Sequence, residues 1–304
     1  MNVLYMHVTS TEPNVSTATA SVFGGTQGKM LQPRVRTAIQ RLNPWLAQLK
    51  RRNASVPSND ETRKNTTKLN IASYNIHKCI GIDGVFDPIR IKNVILKLDA
   101  DIVVLQEADA RFGEREGLLD LDYLHLMGGY RSIFSPNQNS RSHGWHGNVV
   151  LYRNTTVNHV QKLRLPGLEP RGALIVDFSF GEASFRLLAV HLGLLRRSRK
   201  KQVQAIIEAA DPGPDRHVVV IGDMNEWRLE RRSALALFKS HFEEISAQLP
   251  SYPSRYPFLP LDRFFASSGL RVESLSVVDT PLTRIASDHL PVSATLSIAT
   301  GFGA

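Results

Sequence analysis

From Leu69 onward the chain sets short apolar runs rich in Val and Ile between turn signals: LNIAS, DIVVLQE, GNVVLY, ALIVDF, FRLLAV and HVVVIGD. Runs of this length and β-branched content predict buried strands. After Gly269, LRVESLSVV and PVSATLSI read the same way. Pro88 suits the first position of a helix through Ile91, Val94, Ile95 and Leu98, and a second helix is expected from Ser198 to Ala210. Many strands with few helices between them predict sheets packed on each other with helices outside. There is no internal repeat and no Rossmann glycine fingerprint. GGTQGK is not a P-loop, because Phe23 stands at the first glycine position and Met30 follows the lysine.

Ahead of these runs the character differs. Residues 1–33 are rich in Ser, Thr and Gly without sustained periodicity, which predicts disorder. Between Pro33 and Arg52, Val35, Ile39, Leu42, Trp45, Leu46 and Leu49 recur at helical spacing with Arg and Lys between them. This segment is read in two ways: as a basic amphipathic helix making peripheral contact with a membrane through residues 33–52, or as a helix packed on its own domain. Residues 53–67 form a polar linker. The expected organisation is a basic, disordered or partly helical leader and linker over 1–68, a catalytic domain over 69–298 and a tail over 299–304.

The net charge of +9 is uneven: residues 1–68 hold ten Lys/Arg and three Asp/Glu, leaving 27 basic and 25 acidic residues elsewhere. The excess lies in the leader, so overall charge argues little for nucleic acid. Cys79 is the only cysteine, which excludes an intramolecular disulfide and a thiolate metal cluster. It suits a reducing compartment, and the expected location is cytoplasmic with membrane association open. No apolar run approaches the roughly 20 residues that span a bilayer. The N-terminus lacks the charged-then-apolar order of a secretory signal. Its Ser/Thr-rich, acid-poor composition resembles a mitochondrial transit peptide, and a bacterial extension fits equally well.

The informative feature is the polar residue at the end of each run. Asn75 follows IASY, Gln106 and Glu107 end IVVLQE, His191 ends LLAVH, and Asp223 and Asn225 end VVVIGDMN. Asp262 lies in LPLDRFF, and Asp288 with His289 in ASDHLP. Singly, a strand-end Asp is usually a helix cap and a strand-end His a hydrogen-bonded core residue. Together they form an oxygen-rich set with two imidazoles and no HExxH pattern, which favours Mg²⁺ or Mn²⁺ over structural zinc. A hard cation beside Asp and His is suited to attack on a phosphate ester.

The motifs SYNIH, LQE, GNVVLY, VHLG, GDMN, LDRFF and SDHLP resemble the endonuclease/exonuclease/phosphatase superfamily over about residues 69–298. Within it the chain looks most like the bacterial YbhP-type branch, through HGN, a PRG-like arginine motif, HLGL, GDxNxW and SDH. The resemblance implies an α/β fold, a four-layer α/β/β/α sandwich of two mixed sheets flanked by helices. It assigns Glu107 as principal metal ligand, with Asn75 as second ligand or phosphate contact and Asp288 in the metal shell. Asp223 orients or deprotonates the attacking water and Asn225 positions it. The pair His289–Asp262 holds the scissile phosphate, and His191 donates to a phosphoryl oxygen. Asn148 is a further pocket amide, and Arg171 in EPRG contacts the substrate phosphate.

Other residues are weighed and set aside. His77 is expected to line the pocket or pack, and His143 and His146 in HGWH to serve a loop. The cluster Arg196, Arg197, Arg199, Lys200 and Lys201 reads either as a solvated helix start or as an attractor of anionic head groups or a nucleic-acid backbone. Trp145 and Trp227 are pocket walls or core. The expected activity is metal-dependent phosphodiester hydrolysis by a monomer, on a lipid head group or small phosphodiester. A DNA or RNA nuclease is the second reading, and a non-catalytic binding module on the same fold the third.

Overall fold

The computed structural model describes residues 66–299, without 111–114, 134–141, 213–216, 229–231, 245–248 and 268. The expected helix at 33–52 and the GGTQGK stretch therefore lie outside the described residues.

In chain order the elements are β1 (Thr66–Asn75), α1 (Pro88–Leu98), β2 (Ile102–Gln106), α2 (Leu121–Gly128), β3 (Arg131–Ser132), β4 (Val149–Tyr152), β5 (Thr156–Leu165) and β6 (Arg171–Phe180). There follow β7 (Ala183–His191), α3 (Arg196–Ala210), β8 (Val218–Asp223), β9 (Glu243–Glu244), β10 (Asp262–Ala266), β11 (Leu270–Val277), α4 (Pro281–Ala286) and β12 (Val292–Ala299). Short 3₁₀ turns cover His77–Cys79 and Ala234–Ser240. Helix α1 starts where the sequence places it, with Pro88 in the first turn and the Asp87 side chain accepting from Arg90 N at 2.9 Å. Among the described residues no helix is long and apolar enough to cross a membrane.

The strands form two six-stranded sheets, ordered β11-β12-β1-β2-β4-β3 and β5-β6-β7-β8-β10-β9. Both are mixed, with β1 and β2 parallel in one and β7 and β8 parallel in the other. Side-chain alternation explains the unbroken apolar runs. Ile102 and Val104 of β2 join Val219 and Ile221 of β8 in a core between the sheets. Val103 and Leu105 face the other way, onto Ile91, Val94 and Ile95 of α1. Val218 and Val220 likewise meet Val203, Ile206 and Ile207 of α3. Each central strand is thus buried on both faces, and each fully buried Val, Ile or Leu contributes about 1.5–3 kcal/mol. The result is the expected four-layer α/β/β/α sandwich.

Strand edges set up the site. In the parallel pairs Asn75 stands beside Gln106 and His191 beside Asp223, so four strand ends finish at one edge of the sandwich. Antiparallel β10 begins at that edge, with Asp262 opposite Asp223. Gly222, before Asp223, is required there: its φ is +144° and a Cβ would lie 1.9 Å from the Val190 carbonyl.

Candidate active site

Eight of the ten residues expected to do chemistry line one cleft of about 510 Å³: Asn75, Glu107, Arg171, His191, Asp223, Asn225, Asp288 and His289. Asn75 Nδ2 donates to Asp223 Oδ2 at 3.0 Å, joining strand ends from different sheets. Asn225 N donates to Asp223 Oδ1 at 2.8 Å, and Asn225 Nδ2 to the Leu192 carbonyl at 2.9 Å. The Asp223 carboxylate is therefore held from both sides with no rotational freedom to spare.

Asp262 is buried behind His289 rather than in the cleft, and its Oδ2 meets His289 Nδ1 at 2.8 Å. The same oxygen accepts from Ser251 Oγ at 2.5 Å. His289 then points Nε2 toward Asp223 Oδ2, 3.8 Å away, with the Tyr252 ring 4.8 Å from its own. Burial opposes charge on this ring, but the Asp262 and Asp223 carboxylates outweigh burial and push its pKa up to about 10. Burial lifts Asp223 in turn, and Asp262 adds to that, against the lowering pull of His289, leaving it near 6. At neutral pH the pair is an imidazolium beside a carboxylate.

His191 is the second imidazole on Asp223, with Nε2 3.5 Å from Oδ2. Its Nδ1 lies 2.9 Å from Arg171 Nη1. A guanidinium cannot accept a hydrogen bond, so Nδ1 accepts and the ring proton sits on Nε2, facing the cleft. Arg171 is itself fixed by Glu169, 3.3 Å from Nη2.

Glu107 reaches the cleft from a left-handed backbone at φ +55°, and His77, Lys78 and Asn225 share this unusual region at +44°, +55° and +49°. Such conformations cost about 1–3 kcal/mol each and persist where surrounding bonds dictate them. Here Lys78 N donates to the Glu107 carbonyl at 3.2 Å and His77 N to Asn75 Oδ1 at 3.1 Å. The Lys78 ammonium also pairs with the Glu107 carboxylate. Burial raises Glu107, but the Lys78 bond and charge prevail and hold its carboxyl below the usual range.

A divalent cation fits this donor set by its chemistry. Among the described residues no three His, Cys, Asp or Glu side chains form a metal cage. Mg²⁺, however, commonly takes one or two carboxylates and keeps water and substrate oxygens for the rest. Glu107, Asp288 and the Asn75 amide offer hard oxygens on one cleft, and Glu107 already attracts a cation in Lys78.

Asn148 departs from expectation. It is fully buried outside the cleft, with Nδ2 donating to the Gly172 carbonyl at 2.8 Å and the Trp145 carbonyl at 3.2 Å. Both N–H bonds go to backbone, so it ties the loop before β4 to β6 and offers no donor to substrate. Arg199, grouped with solvated basic residues in the sequence, is 2% exposed and pairs with buried Glu226 at 3.2 Å. His77 lines the cleft, while His143 bonds the Leu119 carbonyl and His146 approaches Arg115, in keeping with a loop role. Trp145 packs on the inter-sheet core and Trp227 stands half-exposed on the cleft wall.

Sequence reasoning missed Lys78, Ser251 and Tyr252. Lys78 follows the NIH motif directly, which is a usable signal. Ser251 and Tyr252 lie in a proline-rich loop with no periodic cue.

A four-layer sandwich of mixed sheets, with Asp, Asn and two His gathered at the strand ends, defines the DNase I-like class of α/β protein. The family model "Endonuclease/Exonuclease/phosphatase family" matches residues 72–289, and the chain belongs to that family. Its members are generally hydrolases acting on phosphoesters, and they include nucleases, phosphodiesterases and phosphatases. No curated protein matches the chain. Solved structures share the fold. One is an endonuclease/exonuclease/phosphatase from Beutenbergia cavernae, at 24% identity and TM-score 0.62, covering 76% of this chain and 72% of that one. Another is D. rerio TDP2 complexed with single strand DNA product, at 17% identity and TM-score 0.57, covering 76% and 99%. The human Nocturnin catalytic domain with bound sulfate is a third, at 20% identity and TM-score 0.58, covering 75% and 94%.

Proposed function

We propose that the chain is a divalent-metal-dependent phosphodiesterase of the YbhP-type branch, with its catalytic unit over residues 69–298. The observation that carries this reading is Asp223 held between two imidazoles and two amide donors in a cleft that also presents Glu107. Glu107, Asp288 and Asn75 would hold Mg²⁺ or Mn²⁺, and the ion, when bound, would offset charge on the phosphoryl oxygens.

The chain's own residues do the rest. Ionised Asp223, oriented by Asn75 and Asn225, takes a proton from water as the water attacks phosphorus; one ester P–O bond breaks, and the departing alkoxide takes a proton from solvent water to leave as the alcohol. The His289 imidazolium, kept charged by Asp262, donates to a phosphoryl oxygen, and the His191 Nε2–H donates to another. Arg171 keeps His191 in that tautomer. These donors are fixed before substrate arrives, which is the condition for electrostatic stabilisation of a developing charge. A lipid head group or other small phosphodiester is the proposed substrate class.

Hydrolysis of bis-p-nitrophenyl phosphate tests the chemistry. Turnover should require Mg²⁺ or Mn²⁺ and fall on the order of 10³-fold or more in Asp223→Ala and His289→Ala. Equal, metal-independent turnover by all three proteins would refute it. Plasmid nicking lost in Asp223→Ala, without turnover of any phospholipid, would assign the site to a nuclease instead.

A further inference from the structure

The mouth of the cleft is unlike an ordinary polar surface. Leu194 and Trp227 on its wall are 63% and 53% exposed, and the surrounding loops carry further exposed apolar side chains. Leu168 is 85% exposed, Leu195 49%, Tyr256 70% and Phe258 66%. The loops are joined to one another at the mouth. Glu169 accepts from Leu194 N at 2.9 Å, and Arg196 Nε donates to the Arg232 carbonyl at 3.0 Å. The loop carrying Tyr256 and Phe258 enters and leaves at Tyr252 and Leu259, both in the cleft wall.

Charge on these loops and on the first turns of α3 has one sign. Arg197, Lys200, Lys201 and Arg255 are exposed. Among the described residues, the two acids of these loops are consumed internally: Glu169 by Arg171 and Leu194 N, Glu226 by Arg199 and backbone amides. Exposed leucine and aromatic side chains ringed by basic groups match the interfacial zone of an anionic bilayer, which receives both. Single-stranded nucleic acid would reward the aromatics and arginines, but it offers nothing to three exposed leucines.

We propose that this rim is a membrane-docking surface, seating the mouth of the cleft on a bilayer that carries anionic lipids. Leu168, Leu195 and Phe258 enter the acyl boundary while Arg197, Lys200 and Lys201 meet the phosphates. The surface stands on its own observations. Only its consequence, that a lipid phosphodiester enters the cleft without leaving the interface, rests on the proposed activity.

The test is co-sedimentation of the full-length chain with vesicles of phosphatidylcholine, alone or mixed with phosphatidylglycerol, without added metal. The mixed vesicles should bind it and the neutral ones bind it far less. Leu168→Ser/Leu195→Ser/Phe258→Ser and, separately, Arg197→Gln/Lys200→Gln/Lys201→Gln should each lower binding by about tenfold or more. Leu126→Ser/Met127→Ser, exposed on α2 away from the cleft, should leave binding unchanged. Hydrolysis of bis-p-nitrophenyl phosphate should be the same in all of these proteins. Wild-type binding by both rim variants, or no binding by the wild type, overturns the proposal. So does loss of single-stranded oligonucleotide binding in the rim variants with vesicle binding intact. If the wild type binds vesicles but hydrolyses no phosphodiester, the docking surface survives and the activity does not.

Discussion

Arg171 donates to Nδ1 of His191 across 2.9 Å, so a residue that can only give hydrogen bonds decides which face of the imidazole carries its proton. Arg171→Met removes that instruction and lets the proton move to Nδ1, leaving Nε2 unable to donate. The kcat on a small phosphodiester should fall by on the order of 10- to 100-fold, the scale seen when an orienting partner of a histidine is lost. The ¹⁵N shifts of His191 report the tautomer directly. An unchanged tautomer together with an unchanged rate would contradict the assignment.

The pH profile follows from the opposed ionisation of Asp223 and His289. Asp223 acts only when ionised, and its pKa near 6 means that activity is lost as pH falls through that value. His289 acts only when protonated, and its pKa near 10 means that activity is lost as pH rises through that one. A bell with a broad neutral plateau is expected, its limbs belonging to the coupled pair. Asp262→Asn takes away the larger of the two carboxylate influences on His289 and should pull the alkaline limb toward neutrality. It should also cost less than His289→Ala and add little to it. An alkaline limb that stays in place in Asp262→Asn would remove His289 from the profile.

Lys78 places a positive charge on the carboxylate proposed to bind metal. Whether its ammonium leaves on metal binding or stays close, it opposes a second cation at Glu107. Lys78→Met should therefore tighten Mg²⁺ binding several-fold, while Glu107→Gln weakens it strongly. Calorimetric titration with Mg²⁺ and no substrate measures this apart from turnover. Weaker binding in Lys78→Met would mean that Lys78 organises the site instead of competing for it.

What could be read from the sequence divides along physical lines. The central strands announced themselves because both of their faces are buried, as with Val218 to Ile221. Strand β5 (Thr156–Leu165), an edge strand half open to solvent, has the polar composition TVNHVQKLRL and gave no such signal. Strand-end polar residues marked the cleft, since Asn75, Glu107, His191, Asp223 and His289 meet there. Asn148, expected in the pocket through the family resemblance alone, precedes its apolar run and turns away, because its orientation depends on the backbone carbonyls of Trp145 and Gly172. Arg199 was indistinguishable from its basic neighbours in a linear reading. Only the turn of α3 shows that it points inward while Arg197 and Lys200 point out.

That inward arginine supports a last prediction. Arg199 Nη1 donates to the carbonyls of Gly193 and Leu194, at 3.0 and 2.6 Å, and Nη2 to Glu226 Oε2 at 3.2 Å. Glu226 also accepts from Arg228 N and Ala234 N, each at 2.9 Å, and its carbonyl accepts from Arg263. The pair thus clamps the loop after His191 to the loop after Asp223, although neither residue does chemistry. Glu226→Ala leaves a buried guanidinium without its counter-charge and two amides without their acceptor, and should cost about 3–5 kcal/mol in urea unfolding. Glu226→Gln can keep its single carbonyl oxygen on Ala234 N and Arg199, leaving only Arg228 N without its acceptor, and should cost distinctly less. Because the clamp holds the loops that follow His191 and Asp223, kcat should fall in Glu226→Gln even where the protein is fully folded, with KM little changed. A Glu226→Ala protein destabilised by less than about 1 kcal/mol would show that the loops hold their places without the pair.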